Sequence, residues 1–130
     1  MIIKLPWPPS ANRYWRHPST GKLAGRHLIS EEGRAYRKAV AQAVMLDKYQ
    51  AVRMDGYLSV EIDCYPPDRR KRDLDNLLKG ILDAMQKAGC YKDDNQFWSI
   101  LIRRFPIVAG GKVVVRISEF KGLAETEVGA

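Results

Sequence analysis

The chain has 130 residues, and its 22 lysines and arginines against 15 aspartates and glutamates leave a formal charge of +7. That length suits one ordinary domain with a real core and no need of disulfide or metal staples, and the basic balance favours a polyanionic partner such as nucleic acid. Cys64 and Cys90 form no CxxC or Cys/His cluster, and neither a secretory h-region nor a bilayer-length apolar run is present, so the expected setting is reducing, cytoplasmic and free of membrane.

IIKL, residues 2–5, predicts a short strand, which the prolines at 6, 8 and 9 end by removing donors and restricting the backbone before them. Residues 10–28 carry Gly and Pro punctuation with little periodicity and read as an ordered or partly mobile loop. Ser30 followed by Glu31 and Glu32 marks a helix start, and Ala35, Tyr36, Ala39, Val40, Ala43 and Val44 continue it at helical spacing to about Leu46. YLSVEIDCY, residues 57–65, alternates, with Leu58, Val60, Ile62 and Cys64 on one side, until Pro66 and Pro67 stop it.

The clearest element comes next. Leu74, Leu77, Leu78, Ile81, Leu82, Met85 and Ala88 fall in one apolar sector of a helix, Asp75, Asn76, Lys79, Asp83 and Lys87 fall outside it, and Gly89 suits the C-terminal cap. After the polar turn YKDDNQ, residues 97–105 and 112–120 read as strands joined through Pro106 and Gly110-Gly111 as an antiparallel pair. The order β-α-β-α-β-β predicts an α/β fold bordering on α+β: one domain over residues 1–121, a single mixed sheet with helices packed against it, and a flexible tail over 122–130. A right-handed crossover would set the first two strands parallel.

Four consecutive basic residues, Arg69, Arg70, Lys71 and Arg72, lead directly into Asp73 and Asp75 at the start of that helix. Each carboxylate has an ordinary explanation as a helix cap or a first-turn acid. The adjoining basic run and a second acidic pair, Asp93 and Asp94, ask for more. A hard divalent cation such as Mg²⁺ takes oxygen ligands and commonly binds through one or two carboxylates plus substrate phosphate, so aspartates converging where two elements begin suit it. Bound metal would reverse the local sign for a phosphodiester while the basic run attracts the rest of the backbone. Lys79, on the polar edge of the helix, is placed either to reach the scissile phosphate or to pair with Asp75 or Asp83. Because a helix from 75 to 88 is about 20 Å long, Asp94 returns to the first pair only across a nearly extended connection, and spacing leaves open whether it does so within one subunit or in a partner.

In the N-terminal segment Arg13, Tyr14, Trp15, Arg16 and His17 interleave basic and aromatic groups. Arg13 and Arg16 suit phosphate contacts, and Tyr14 and Trp15 are read either as platforms for exposed bases or as core and interface anchors. No HExxH, nucleophile-elbow serine, Walker A or dinucleotide fingerprint offers a rival chemistry.

LPWPPSANRYWRH, PPDRRKRDLDNLLKGILDAMQKAG and YKDDNQ, in this order in a small basic chain, resemble the RusA-type endodeoxyribonucleases, the Holliday junction resolvases often carried by prophages. The likeness runs from about Ile3 to Phe120. It implies a homodimer that binds four-way junction DNA and, with Mg²⁺ or Mn²⁺ as an alternative ion, makes paired symmetric cuts. It carries the family's catalytic aspartates onto Asp73, Asp75 and Asp94, its helix lysine onto Lys79 and its arginine-rich loop onto residues 69–72, with Asp93 as a neighbouring acid. The alternative of another class is a basic nucleic-acid binder without catalysis, in which the aspartates serve only as caps and salt-bridge partners.

Overall fold

The computed structural model describes residues 1–47 and 53–122. Its frame is a four-stranded mixed sheet of β1 (Ile2–Leu5), β4 (Leu58–Tyr65), β5 (Phe97–Arg104) and β6 (Lys112–Glu119), in the order β1-β6-β4-β5. Two helices, α2 (Glu31–Leu46) and α3 (Asp75–Lys87), supply the other layer. The main elements follow the expected order β-α-β-α-β-β, and the side chains of both layers form one hydrophobic core. Beyond Gly122, the tail expected to be flexible lies outside the described residues.

Pairing departs from expectation in one respect. The last two strands do not form a hairpin pair; β4 lies between them, parallel to β5 and antiparallel to β6. The reason is visible in burial. On β4, Leu58, Val60, Ile62 and Cys64 pack inward while Asp63 on the opposite face is also buried, so this strand needs neighbours on both edges. β5 lies at the edge of the sheet, with Trp98, Ile100 and Leu101 all exposed on it. Because β1 and β4 are both antiparallel to β6, they run in the same direction, as the crossover argument expected, but with β6 between them.

Asp63 is a buried charge that alternation alone did not single out. Its carboxylate takes Arg103 from β5 at 2.9 Å and Arg116 from β6 at 2.7 Å, which ties three strands across the face that no helix covers.

The helices begin and end as their sequences dictate. Ser30 Oγ accepts from the Gly33 amide at 3.0 Å and so caps α2. At the other end of α3, Gly89 adopts a φ of +88°, which lets its amide reach the Gln86 carbonyl at 3.0 Å and the Cys90 amide reach that of Met85 at 3.1 Å. That pair of bonds is a Schellman closure. It turns the chain sharply back toward the polar side of α3.

The segment read as an irregular loop contains short regular pieces: one helical turn, α1 (Ala11–Tyr14), and a small ribbon in which β2 (Trp15–Arg16) pairs with β3 (Leu28–Ile29). Elements this short leave no periodicity to detect. Ser30 holds the turn in place by donating its hydroxyl to the Arg13 and Tyr14 carbonyls.

Both cysteines are free and buried, and burial pushes each thiol up to about 11. Since the thiolate is the reactive form, native protein at pH 8 should label with a thiol reagent far more slowly than denatured protein, in which both sites react together. Rapid native labelling would contradict the burial.

Candidate active site

Asp73 and Asp75 occupy the entry to α3, where the chain leaves the basic loop. The helix begins at Asp75 with Leu74 before it in helical conformation, and no side chain caps its free amides. Asp73 is therefore not used as a cap, while Asp75 keeps the place of a first-turn acid favoured by the helix dipole. Both carboxylates are exposed, and neither forms a hydrogen bond or ion pair with the described residues. Two unspent anions sit beside four cations.

The basic loop is itself divided. Arg72 is committed to the fold: it pairs with Asp68 at 2.8 Å, donates to the Arg70 carbonyl at 3.1 Å and lies over the Trp7 ring at 5.5 Å from its centroid. The Arg72 ion pair, with the Arg70 amide, holds the exposed Asp68 carboxyl below its usual range. Arg69, Arg70 and Lys71 point outward with no ion-pair partner among the described residues. Three of the four loop cations are thus available to an external anion.

Asp94 arrives from the other side. Asp93 caps a short 3₁₀ turn, Asp94–Gln96, accepting from the Asn95 amide at 2.9 Å, while Gln96 returns a bond to the Asp93 amide at 3.0 Å. Asp93 closes this capping box, and its side chain also meets that of Asp94. The Asp94 amide is anchored to Gln86 Oε1 of α3 at 3.1 Å. Its carboxyl is held above the usual range by partial burial first and then by Asp93, with the Lys79 charge pulling the other way. Asp94 and Lys79 therefore share the polar flank of α3. Among the described residues, no group of three or more His, Cys, Asp and Glu side chains is drawn together tightly enough to cage a metal. The donors that are present, exposed carboxylates with free lone pairs, fit a hard cation that retains waters and borrows substrate oxygens rather than a closed protein cage.

The second acid of α3, which the sequence offered only as a partner for Lys79, is engaged elsewhere. Asp83 accepts the Tyr14 hydroxyl and the Arg37 guanidinium, the latter from Nε and Nη2 at 2.8 Å each. Arg37 Nε also donates to the Tyr14 oxygen at 3.1 Å, and its guanidinium lies within 6 Å of both the Tyr14 and Trp15 ring centroids, at 5.9 and 5.7 Å. Burial, and then the bond to Asp83, keep the Tyr14 hydroxyl protonated well beyond the ordinary phenol range. The one available signal was that Asp83 and Lys79 stand one turn apart on the polar side of the helix.

Tyr14 is consequently a core anchor, not a stacking platform. It has 0% exposure and is wedged between the two helices where both carry glycine, Gly33 on α2 and Gly80 on α3. Trp15 is half-buried, covered by His27 at 4.4 Å between ring centroids, with its indole N–H unpaired among the described residues. Arg13 and Arg16 are exposed, as phosphate contacts require. The apolar residues near the third main strand divide as well, Phe97 packing on Tyr91 and Trp98 and Leu101 facing outward.

Exposed carboxylates beside free cations on a basic α/β domain are what a site for phosphate esters of nucleic acid would need, and comparison with known proteins gives the chain a family. The family described as Endodeoxyribonuclease RusA matches residues 6–118. The crossover junction endodeoxyribonuclease RusA of Escherichia coli strain K12 is 43% identical over 120 residues, covering 90% of this chain and 92% of the relative. That of Enterobacteria phage 82 is 44% identical and that of Shigella sonnei strain Ss046 43%, each over 120 residues with the same coverage of both chains. The chain belongs to the RusA family.

Proposed function

We propose that this protein is a metal-dependent endodeoxyribonuclease that resolves four-way DNA junctions. The observation that carries the reading is the pair of unpartnered carboxylates, Asp73 and Asp75, set between free loop cations and Lys79. In a protein that merely bound DNA, two exposed anions at that position would oppose the phosphate backbone. They become favourable once a divalent cation stands between them and the substrate.

Asp73 and Asp75 would hold Mg²⁺, with Asp94 joining from the flank of α3 as substrate closes the site. Bound there, the ion supplies an activated water and charge stabilisation for phosphodiester hydrolysis. Arg69, Arg70 and Lys71 position the flanking phosphates, and Arg13 and Arg16 extend the contact along the strand. Lys79 places its ammonium where charge grows on the phosphoryl oxygens. Resolving one junction takes two cuts and each chain carries one such set, so the working unit is a homodimer whose dyad matches that of the DNA.

Cleavage of a mobile four-way junction, linear duplex and single strand, each with Mg²⁺ and with EDTA, tests the reading. The junction alone should be cut, and only with metal. Comparable cutting of all three DNAs would remove junction selectivity, and cleavage that persists in EDTA would remove the metal.

Lys79 has its own expected result. Changing it to Ala should lower the cleavage rate about tenfold or more while changing junction affinity far less, because the contact strengthens in the transition state. Arg in its place should restore only part of the rate. Equal losses of rate and affinity would make Lys79 a positioning contact.

A further inference from the structure

Two adjoining chambers share Asp73, Arg70, Lys71 and Arg13 with the chemistry described above, while their apolar walls take no part in it. The inner one, about 280 Å³, is bounded by Trp7, Ser10, Asp73 and Asn76. The outer one, about 700 Å³, opens between Pro9, Arg13, Ala39 and Arg70. Trp7, Pro8, Ser10, Lys71 and Arg72 line both, so the two adjoin in the cleft between the proline-rich segment after β1, helix α2 and the basic loop. We propose that this cleft is a nucleotide subsite, which receives one unpaired nucleotide of the DNA next to the phosphodiester that is cut. The proposal rests on the nuclease reading and extends it to the source of junction selectivity.

Size and chemistry both point to a single nucleotide. Clefts of roughly 300 to 1,000 Å³ are the scale of small-molecule sites, and the width of a duplex does not enter them. Arg13, Arg70 and Lys71 stand at the rim without ion-pair partners among the described residues, against one acid of the outer wall, Glu32, and the proposed metal ligand Asp73 within. That charge distribution places a phosphate on the rim and a base inside, against the apolar wall of Trp7 and Pro8.

The wall is built in advance. Prolines at 6, 8 and 9 fix its backbone, Tyr36 donates its hydroxyl to the Pro6 carbonyl at 2.9 Å, and the turn at Gly111 packs so close that an added Cβ would lie 3.0 Å from the Trp7 Cβ. Arg72 braces the Trp7 ring from the loop side. A preformed pocket for an unstacked base rewards DNA in which a base is most easily released. Pulling a base from continuous duplex costs unpairing and unstacking on both sides, whereas at a branch point the helical stack is interrupted and the cost is smaller. Selectivity for junctions over linear duplex follows from the shape of the cleft.

The test uses the full-length protein carrying Asp75→Asn, which should bind without cutting, and four-way junctions with 2-aminopurine at each position flanking the branch. Emission should rise severalfold at one position when protein binds, and stay flat for the same sequence in linear duplex. Two variants fill the cleft in this background: Ser10→Phe, whose hydroxyl makes no capping bond, and Ala39→Phe from α2. Either should abolish the rise while junction binding, carried by the rim and loop cations, persists. Bound junction with unchanged emission at every flanking position overturns the subsite and leaves the nuclease reading standing, as does a rise that survives both fillings. Failure of the Asp75→Asn protein to bind any junction defeats the nuclease reading and the subsite with it.

Discussion

Changing Asp75 to Asn is expected to reduce Mg²⁺-dependent junction cleavage about a hundredfold or more, with junction binding retained. The size of the effect reflects the several kcal/mol of transition-state stabilisation that a positioned cation supplies, each 1.4 kcal/mol or so being tenfold in rate. Binding survives because Asp75 makes no contact within the fold that its loss would break, and because removing a negative charge leaves the basic loop no less attractive to DNA. Asp73→Asn and Asp94→Asn should act the same way, whereas Asp93→Asn should be milder, since Asn also caps. Cleavage assays with gel-shift titrations of the same preparations separate rate from affinity. Near-normal cleavage by the Asp75→Asn protein would remove these carboxylates from the chemistry.

The second large effect is on stability. Gly33 faces the carbonyl of Tyr14 so closely that an ideal Cβ would stand 2.3 Å from its oxygen and 2.8 Å from Ile29 Cγ1. Ala at this position must push α2 away from the α1 turn, straining the Ser30 bonds that hold Tyr14 between the helices. Overpacking against backbone should cost about 2 to 3 kcal/mol, a fall in melting temperature of roughly 8 to 12 °C for a chain of this size. Gly80→Ala, which meets the Tyr14 ring at 3.0 Å, should cost less because a side chain can shift where a carbonyl cannot. Thermal denaturation of the two variants checks both the loss and its order. A Gly33→Ala protein as stable as the parent would mean the wedge of Tyr14 between the helices is not tight.

The sequence was most informative where one periodicity governed a whole element. Ile81, Met85 and Leu82 on α3, and Val60 and Ile62 on β4, went inside because nothing in those elements competed with the hydrophobic pattern. Strand partners were harder to read. FWSILIRRF and KVVVRISEF look like a hairpin to any local rule, and what separates them is the tertiary demand of β4, whose buried Asp63 needs an arginine from each side. As candidates, Asp73, Asp75 and Asp94 were legible because they sit in distinctive local motifs. Their division of labour was not. That Asp93 closes a capping box with Gln96, that Arg72 braces Trp7 and that Asp83 is engaged by Tyr14 and Arg37 are facts of three-dimensional neighbourhood. Tyr14 shows the same limit: its place beside Arg13 and Trp15 left a base platform and a core anchor both open, and two distant glycines decided for the core.

The most direct test of the account is cleavage of a static four-way junction, with each strand labelled in turn and the products resolved at nucleotide precision, alongside light scattering of the protein at the same concentration. A dimer should cut two opposed strands at equivalent positions, require Mg²⁺, and yield ends that ligase seals without further processing. A monomer that nicks a single strand, or cuts scattered without regard to the branch, would contradict it.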